Sequence, residues 1–355
     1  MGKDKKQALS LFFYRAMTKK NNEIAVENFI LHHHVERPID WSRRFDTVRP
    51  LDVEIGFGLG DFLVRTAQQY SERNFVGIEM DWQRVKKTLR KIHLANKIGG
   101  SCSSQTRHPE EHSDEGSHQN AIQNVRVLQV DANVAFSRLF APLTIHNLYC
   151  LFPCPWPKKN HVKHRLFSHS FLRLSNSRLV SGGRMKIVTD HFSYFEWILA
   201  QAKQTGFQIE TRTIEPQFDT KYERKWREGG QTEFFELNFV KQEHFDIPVQ
   251  EDAELQAYFV DDFKPDRFRF PDVTGEESVI WKDFLFDARK EKGMVHLVVA
   301  EKNMAQHLWV MISHGPRGWC ISKAEGHNVI PTRGVAQAIR LVYQQVKQTK
   351  LDIAG

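Results

Sequence analysis

The chain is poor in cysteine. Its four, Cys102, Cys150, Cys154 and Cys320, include no Cys-x-x-Cys pair. That spacing argues against a disulfide framework or a zinc site, so a reducing, cytoplasmic setting is expected. No apolar run reaches the roughly 20 residues that span a bilayer. The N-terminus is Lys-rich and then mixed, without the apolar core and cleavage site of a secretory signal. No membrane partner is therefore expected. No solenoid-length repeat is present. Residues 97–123 have few aliphatic side chains and are rich in Gly, Ser, His, Asn, Gln and Glu. They read as a disordered insertion, and their His and acidic residues as a solvated loop rather than a metal site. His32, His33 and His34 are adjacent and so point in different directions in any regular structure, which also speaks against a metal. Finally, no Asp or Glu occurs between residues 132 and 189, where nine Lys or Arg do.

What is present suits a soluble protein with a sizeable core: 355 residues, 41% hydrophobic and 26% charged, with net charge +7. The positive balance favours an anionic partner. Residues 1–49 read as a basic N-terminal arm carrying Lys19, Lys20, Arg37, Arg43, Arg44 and Arg49, with Trp41 and Phe45 able to tack it onto a domain. From Pro50 strands and helices alternate. Strands are expected at 51–55, 74–78, 125–130, 145–151, 184–188, 208–214 and 233–240. Helices are expected at 61–70, 81–96, 134–140, 163–179 and 192–205. Trp82, Val85, Leu89 and Ile92 keep helical spacing in the second of these. This rhythm predicts an α/β domain over 50–243 with a mostly parallel seven-stranded sheet, whose ligand sits at the carboxyl ends of the strands. Beyond residue 244 the texture turns acidic, aromatic and proline-punctuated. Strands at 279–286, 294–301, 307–313 and 319–322 and a helix at 335–350 predict a small C-terminal α+β domain over 244–355.

The first strand ends in Glu54-x-Gly56-x-Gly58-x-Gly60. Glycines there let backbone approach a ligand closely. The last spacing is too short for the dinucleotide fingerprint, because position 61 is Asp. Acids stand at three successive strand ends. Glu54 lies two residues before the turn. Glu79 is placed to accept from both hydroxyls of a ribose. Asp131 falls near where an adenine would lie. A ligand with a free ribose, an amino group and no phosphate fits this set, which points to S-adenosyl-L-methionine. Taken singly, each acid reads equally well as a helix cap or a solvated strand end.

The fourth strand leads into Phe152-Pro-Cys-Pro-Trp-Pro-Lys158-Lys-Asn-His161-Val-Lys163-His-Arg165. Its prolines stiffen the loop. Lys158, Lys159, Lys163 and Arg165 form a basic cluster beside the pocket, suited to RNA phosphates. A solvated helix start is the bland alternative. Trp156 could stack on a base or simply pack the loop. Asp190 ends the fifth strand, and a loop carrying Thr220-Lys221-Tyr222-Glu223 precedes the last.

In this order, Glu-Ile-Gly-Phe-Gly-Leu-Gly, Gly-Ile-Glu79, Phe-Pro-Cys-Pro-Trp-Pro-Lys-Lys-x-His-x-Lys-x-Arg-Leu, Thr189-Asp190 and Thr-Lys-Tyr-Glu resemble the bacterial tRNA (guanine-N7-)-methyltransferase family over about residues 50–240. The resemblance implies a class I (Rossmann-like) methyltransferase fold, S-adenosyl-L-methionine as donor, and a guanine of the tRNA variable loop as acceptor. It implies cofactor binding by Glu54, Glu79 and Asp131 together with the glycine turn. It implies substrate binding by Lys158, Asp190, Thr220, Lys221, Tyr222 and Glu223. One position departs. The family pattern has Asp in its active site where this chain has Cys154, and a thiol supplies no fixed negative charge unless its pKa is lowered. A weakened or inactive tRNA-binding homologue, or a methyltransferase retargeted to another RNA, stay open as alternatives. The C-terminal domain lies outside the family pattern.

Overall fold

The computed structural model describes residues 24–101, 122–302 and 304–350. The chain divides into two compact units, Met1–Val249 and Gln250–Gly355.

The first unit is built on one sheet. Its strands are β1 (Phe29–Ile30), β2 (Leu51–Ile55), β3 (Asn74–Glu79), β4 (Val125–Gln129), β5 (Ile145–Leu151), β6 (Leu179–Thr189), β7 (Phe207–Ile214) and β8 (Phe234–Lys241), in the order β1-β4-β3-β2-β5-β6-β8-β7. All neighbours from β1 to β6 are parallel, and only β8 runs against the rest. The seven strands after residue 50 thus appear, with one two-residue strand added at the edge by the N-terminal segment. That segment is more than a tethered arm. Ile24, Ala25, Ile30, Trp41 and Phe45 are buried, and Trp41 stacks on Phe140.

Helices α1 (Asp61–Gln69), α2 (Trp82–Ser101), α3 (Ala132–Arg138), α4 (His169–Arg178), α5 (Phe192–Gln201) and α6 (Lys221–Glu228) accompany the strands. Val85, Leu89 and Ile92 share one face of α2 and are fully buried against Leu63, Val64 and Ala67 of α1. Burial of each large aliphatic side chain contributes about 1.5–3 kcal/mol. Helix α2 runs on to Ser101, past the expected start of the insertion; residues 102–121 lie outside the described residues.

The helix expected from 163 starts six residues later, at His169. Ser168 caps it by accepting the Phe171 N–H, and Lys159–His164 form a separate 3-10 turn. The chain direction reverses between β2, which leads on to β3 and β4, and β5, which leads on to β6. That is the switch point at which open α/β sheets bind ligands.

The second unit is an antiparallel sheet of β9 (Tyr258–Val260), β10 (Ser278–Asp287), β11 (Lys292–Glu301), β12 (Met304–Gly315) and β13 (Gly318–Lys323), in the order β10-β11-β12-β13-β9. Helix α7 (Arg333–Gln348) lays Val335, Ala338, Ile339, Val342 and Val346 on its inner face, against Val295, Leu297, Val310 and Ile312. The period-2 alternation of those strands and the 3.6 period of the helix explain why both were readable in the sequence.

Candidate active site

The turn after β2 depends on glycine. Gly56, Gly58 and Gly60 all have positive φ, at +72°, +57° and +70°. The Gly56 N–H donates to the Ile78 carbonyl (2.7 Å), tying the turn to β3. The Gly58 N–H donates to Glu79 Oε2 (3.1 Å). Glu79 Oε1 accepts from the Met80 and Asp81 N–H groups at 2.9 and 3.1 Å. Arg84 Nη1 lies 3.5 Å from Oε2.

Glu54 is buried, and its Oε2 has no hydrogen-bond partner among the described residues. Burial, with Asp61 and Glu79 nearby, pushes its carboxyl up to about 8. The same surroundings push the Cys150 thiol up. Asp131 caps α3, with Oδ1 accepting from the N–H groups of Asn133 (2.8 Å) and Val134 (3.3 Å). Capping and ligand binding are compatible here, because Oδ2 makes no hydrogen bond within the described residues.

The loop after β5 is braced from inside. The Phe152 N–H donates to the Val188 carbonyl (2.7 Å), and Phe152 and Trp156 hold positive φ. Arg165 Nε donates to the Pro155 carbonyl (2.8 Å), and the guanidinium lies over the rings of Tyr194 and Trp197. Arg165 therefore braces the loop from within. Trp156 packs against His161 and His164. Cys154, Lys158, Lys159 and Lys163 are exposed.

The run of nine cations is also less uniform in space than in sequence. Arg178 is fully buried, with Nε donating to the Phe136 carbonyl (2.7 Å) and Nη1 to the Ile247 carbonyl (2.7 Å). Arg138 is buried as well, and Lys186 pairs with Glu236 at 3.2 Å.

The Thr220–Glu223 segment is not a loop. It begins α6 with the Thr-x-x-Glu spacing of a capping box, of which only the Thr220 half is made. Thr220 Oγ1 accepts the Glu223 N–H (3.2 Å). The buried Glu223 carboxylate turns inward and accepts the N–H groups of Gln217 (2.7 Å) and Phe218 (3.1 Å). Glu223 thus holds the backbone, whereas Lys221 and Tyr222 line a cleft.

Removing an acceptor for two amides in this setting costs about 1–3 kcal/mol. Glu223→Ala is therefore expected to lower the urea midpoint, whereas Lys221→Ala should leave it within about 0.5 kcal/mol. Equal losses in the two variants would contradict the inward role.

One cleft joins these parts. It is lined by Glu54, Gly56, Gly58, Asp61, Arg84 and Leu151 together with Thr220, Lys221 and Tyr222. Residues 138 to 163 apart in sequence meet around it. Arg224 pairs with Asp61 (3.1 Å), Arg65 donates to the Phe218 carbonyl, and Arg84 Nη2 donates to the Tyr222 hydroxyl (3.0 Å). Gly60, Glu79, Asp131, Cys154, Lys158 and Asp190 are not among its lining residues. Asp190 is partly buried, which raises its carboxyl above the usual range. Arg84, Asp61 and Arg224 were not singled out from the sequence, where each reads as a surface charge on a helix.

The cleft fits S-adenosylmethionine. The orphaned buried oxygen of Glu54 suits a cationic group, Gly56 has open space beside it, and Glu79 stands at the next strand end. This strand order, with a Gly-x-Gly-x-Gly turn at the switch point and acids at successive strand ends, defines a class I methyltransferase. The profile of the Methyltransf_4 family, described as "Putative methyltransferase", matches residues 48–236, and the chain belongs to that family. It is an S-adenosylmethionine-dependent methyltransferase.

A protein of Chlorobium phaeobacteroides named tRNA (guanine-N(7)-)-methyltransferase is 39% identical over 196 residues, 55% of this chain and 84% of its own length. One of the same name from Aquifex aeolicus is 28% identical over 326 residues, 89% of this chain and 98% of its own. An alignment of that length runs past the 249 residues of the first unit. It therefore takes in at least part of the C-terminal unit, which lies outside the residues matched by the family profile, 48–236.

Proposed function

We propose that this enzyme methylates N7 of a guanine in the variable loop of tRNA. The observation that carries the reading is the cleft itself, where the glycine turn meets Lys221 and Tyr222 of α6. It is supported by the names of the relatives and by the exposed Lys158, Lys159 and Lys163 in the loop after β5.

When bound, the cofactor supplies an electrophilic methyl group on a sulfonium. Guanine N7 carries a free lone pair, so the protein need not remove a proton first. Its residues then act mainly by positioning, which can supply several kcal/mol. Glu54 would hold the ammonium end of the cofactor, Glu79 the ribose and Asp131 the adenine. Lys221, Tyr222 and Asp190 place the base, and Lys158, Lys159 and Lys163 meet the phosphates. Methyl transfer from labelled cofactor to unmodified tRNA, with the labelled nucleotide mapped, tests this. No label in tRNA would sink it, and label at another RNA would favour retargeting.

Cys154 gives a second reading its footing. An exposed thiol stands where the resembled pattern has a carboxylate to steady the positive charge that develops on the base. Restoring one charge-assisted contact at about 1.5 kcal/mol corresponds to roughly tenfold in rate. Cys154→Asp should therefore raise single-turnover methyl transfer about tenfold, while Cys154→Ala stays near the parent. Retained tRNA binding with no turnover in the parent would instead assign the chain as a tRNA-binding homologue.

A further inference from the structure

We propose that Arg84 is a positioning residue that reads occupancy of Glu79 and passes it to α6 through Tyr222. Arg84 stands in the first turn of α2 and lines the cleft. Its guanidinium touches both halves of the site. Nη1 lies 3.5 Å from Glu79 Oε2, and Nη2 donates to the Tyr222 hydroxyl at 3.0 Å.

The Glu79 carboxylate is already crowded. Met80 N–H and Asp81 N–H occupy Oε1, while Gly58 N–H and Arg84 share Oε2. A carboxylate offers about four lone-pair sites; three hold hydrogen bonds and the fourth faces Arg84 across a 3.5 Å ion pair, so a ribose hydroxyl that donates to Glu79 competes with Arg84. The three backbone contacts are short, at 2.9 to 3.1 Å, and belong to the turn. The Arg84 contact is the longest and the only one made by a movable side chain, so it yields first.

Once displaced, the guanidinium keeps Tyr222 as its partner in the cleft. Its nearest remaining acid is Asp81, at 4.0 Å. Cofactor binding thus converts a shared arginine into one committed to α6. Arg224, two residues further along α6, is separately anchored to Asp61, so the change falls on Lys221 and Tyr222, which line the cleft. The consequence for the acceptor base rests on the tRNA reading; the coupling within the protein does not.

Hydrogen exchange of residues 217–229 in the full chain, with and without S-adenosylhomocysteine and with no RNA present, tests the proposal. In the parent the probe should slow exchange of that segment about fivefold or more, within the usual range of coupling between sites. Arg84→Met and Tyr222→Phe should still bind the probe and protect the glycine turn, but leave exchange at 217–229 unchanged. Calorimetric titration establishes binding in each protein. Parent-like protection of 217–229 in both variants would overturn the proposal, as would bound probe that leaves the parent segment unprotected. Because no RNA is used, failure here is separate from failure of the tRNA methyl-transfer assay.

Discussion

Glu54→Gln is expected to abolish the proton release that accompanies cofactor binding at pH 7. In the free protein burial holds the Glu54 carboxyl at about 8, so most molecules carry a proton there at neutral pH. The cofactor brings a cationic ammonium to a buried oxygen that has no other partner among the described residues. A nearby positive charge favours the carboxylate and drives the proton off. Calorimetry at pH 7 in two buffers of different ionisation enthalpy should report close to one proton released per site in the parent and close to none in Glu54→Gln. Loss of one charge-assisted contact, about 1.5–3 kcal/mol, should also weaken binding roughly ten- to hundredfold. Equal proton counts in the two proteins would remove Glu54 from the ammonium site.

The same shift sets a stability trend for the free protein. The folded pKa of Glu54 lies above its ordinary 4.5. Its contribution is fully present below pH 4.5 and is lost as pH rises through about 8. Glu54→Gln should flatten that part of the pH–stability curve.

Gly60→Val should cause the largest loss of stability among single changes at the turn. Two penalties coincide there. The backbone sits at φ +70°, and a Cβ would come within 2.4 Å of Thr88 Cγ2 and 2.7 Å of its Oγ1. Thr88 is fully buried, so it has little room to retreat. A left-handed conformation costs an L-residue about 1–2 kcal/mol, and overpacking about 1–3 more. Gly182→Val isolates the first penalty, because φ is +68° there and a Cβ meets nothing within 4 Å. Urea unfolding should show Gly60→Val destabilised by about 3 kcal/mol or more, and Gly182→Val by about half that or less. Equal losses would mean that the packing against Thr88 is slack. Gly60→Val should also lose cofactor binding, since Gly58 and Glu79 share the same turn.

Much of the fold was legible because its signals are local. Val85, Leu89 and Ile92 announce the buried face of α2 by spacing alone, and the alternation in β10 to β13 does the same for the second unit. Where the reading failed, a local signal had been overridden or overlooked. The helix expected from 163 was delayed to His169 because Arg165 braces the loop and Ser168 supplies the cap. Thr220 and Glu223 carry a capping-box spacing, yet their charged neighbours made the segment look like an exposed loop.

The sequence by itself determined the order of strands and helices, the glycine turn and the acids that follow it, since each depends on residues a few positions apart. Only the tertiary structure decided which distant pieces meet. Parallel strand order places Tyr222 beside Arg84 and Arg224 beside Asp61, contacts that no local pattern encodes. It also separated Arg178, buried as an internal strut, from the exposed Lys158 and Lys159, although all stand in one acid-free run. Charge is written in the sequence, but its partners and its desolvation are set by the fold, and these decide whether a lysine, an arginine or Glu54 meets a ligand or holds the backbone.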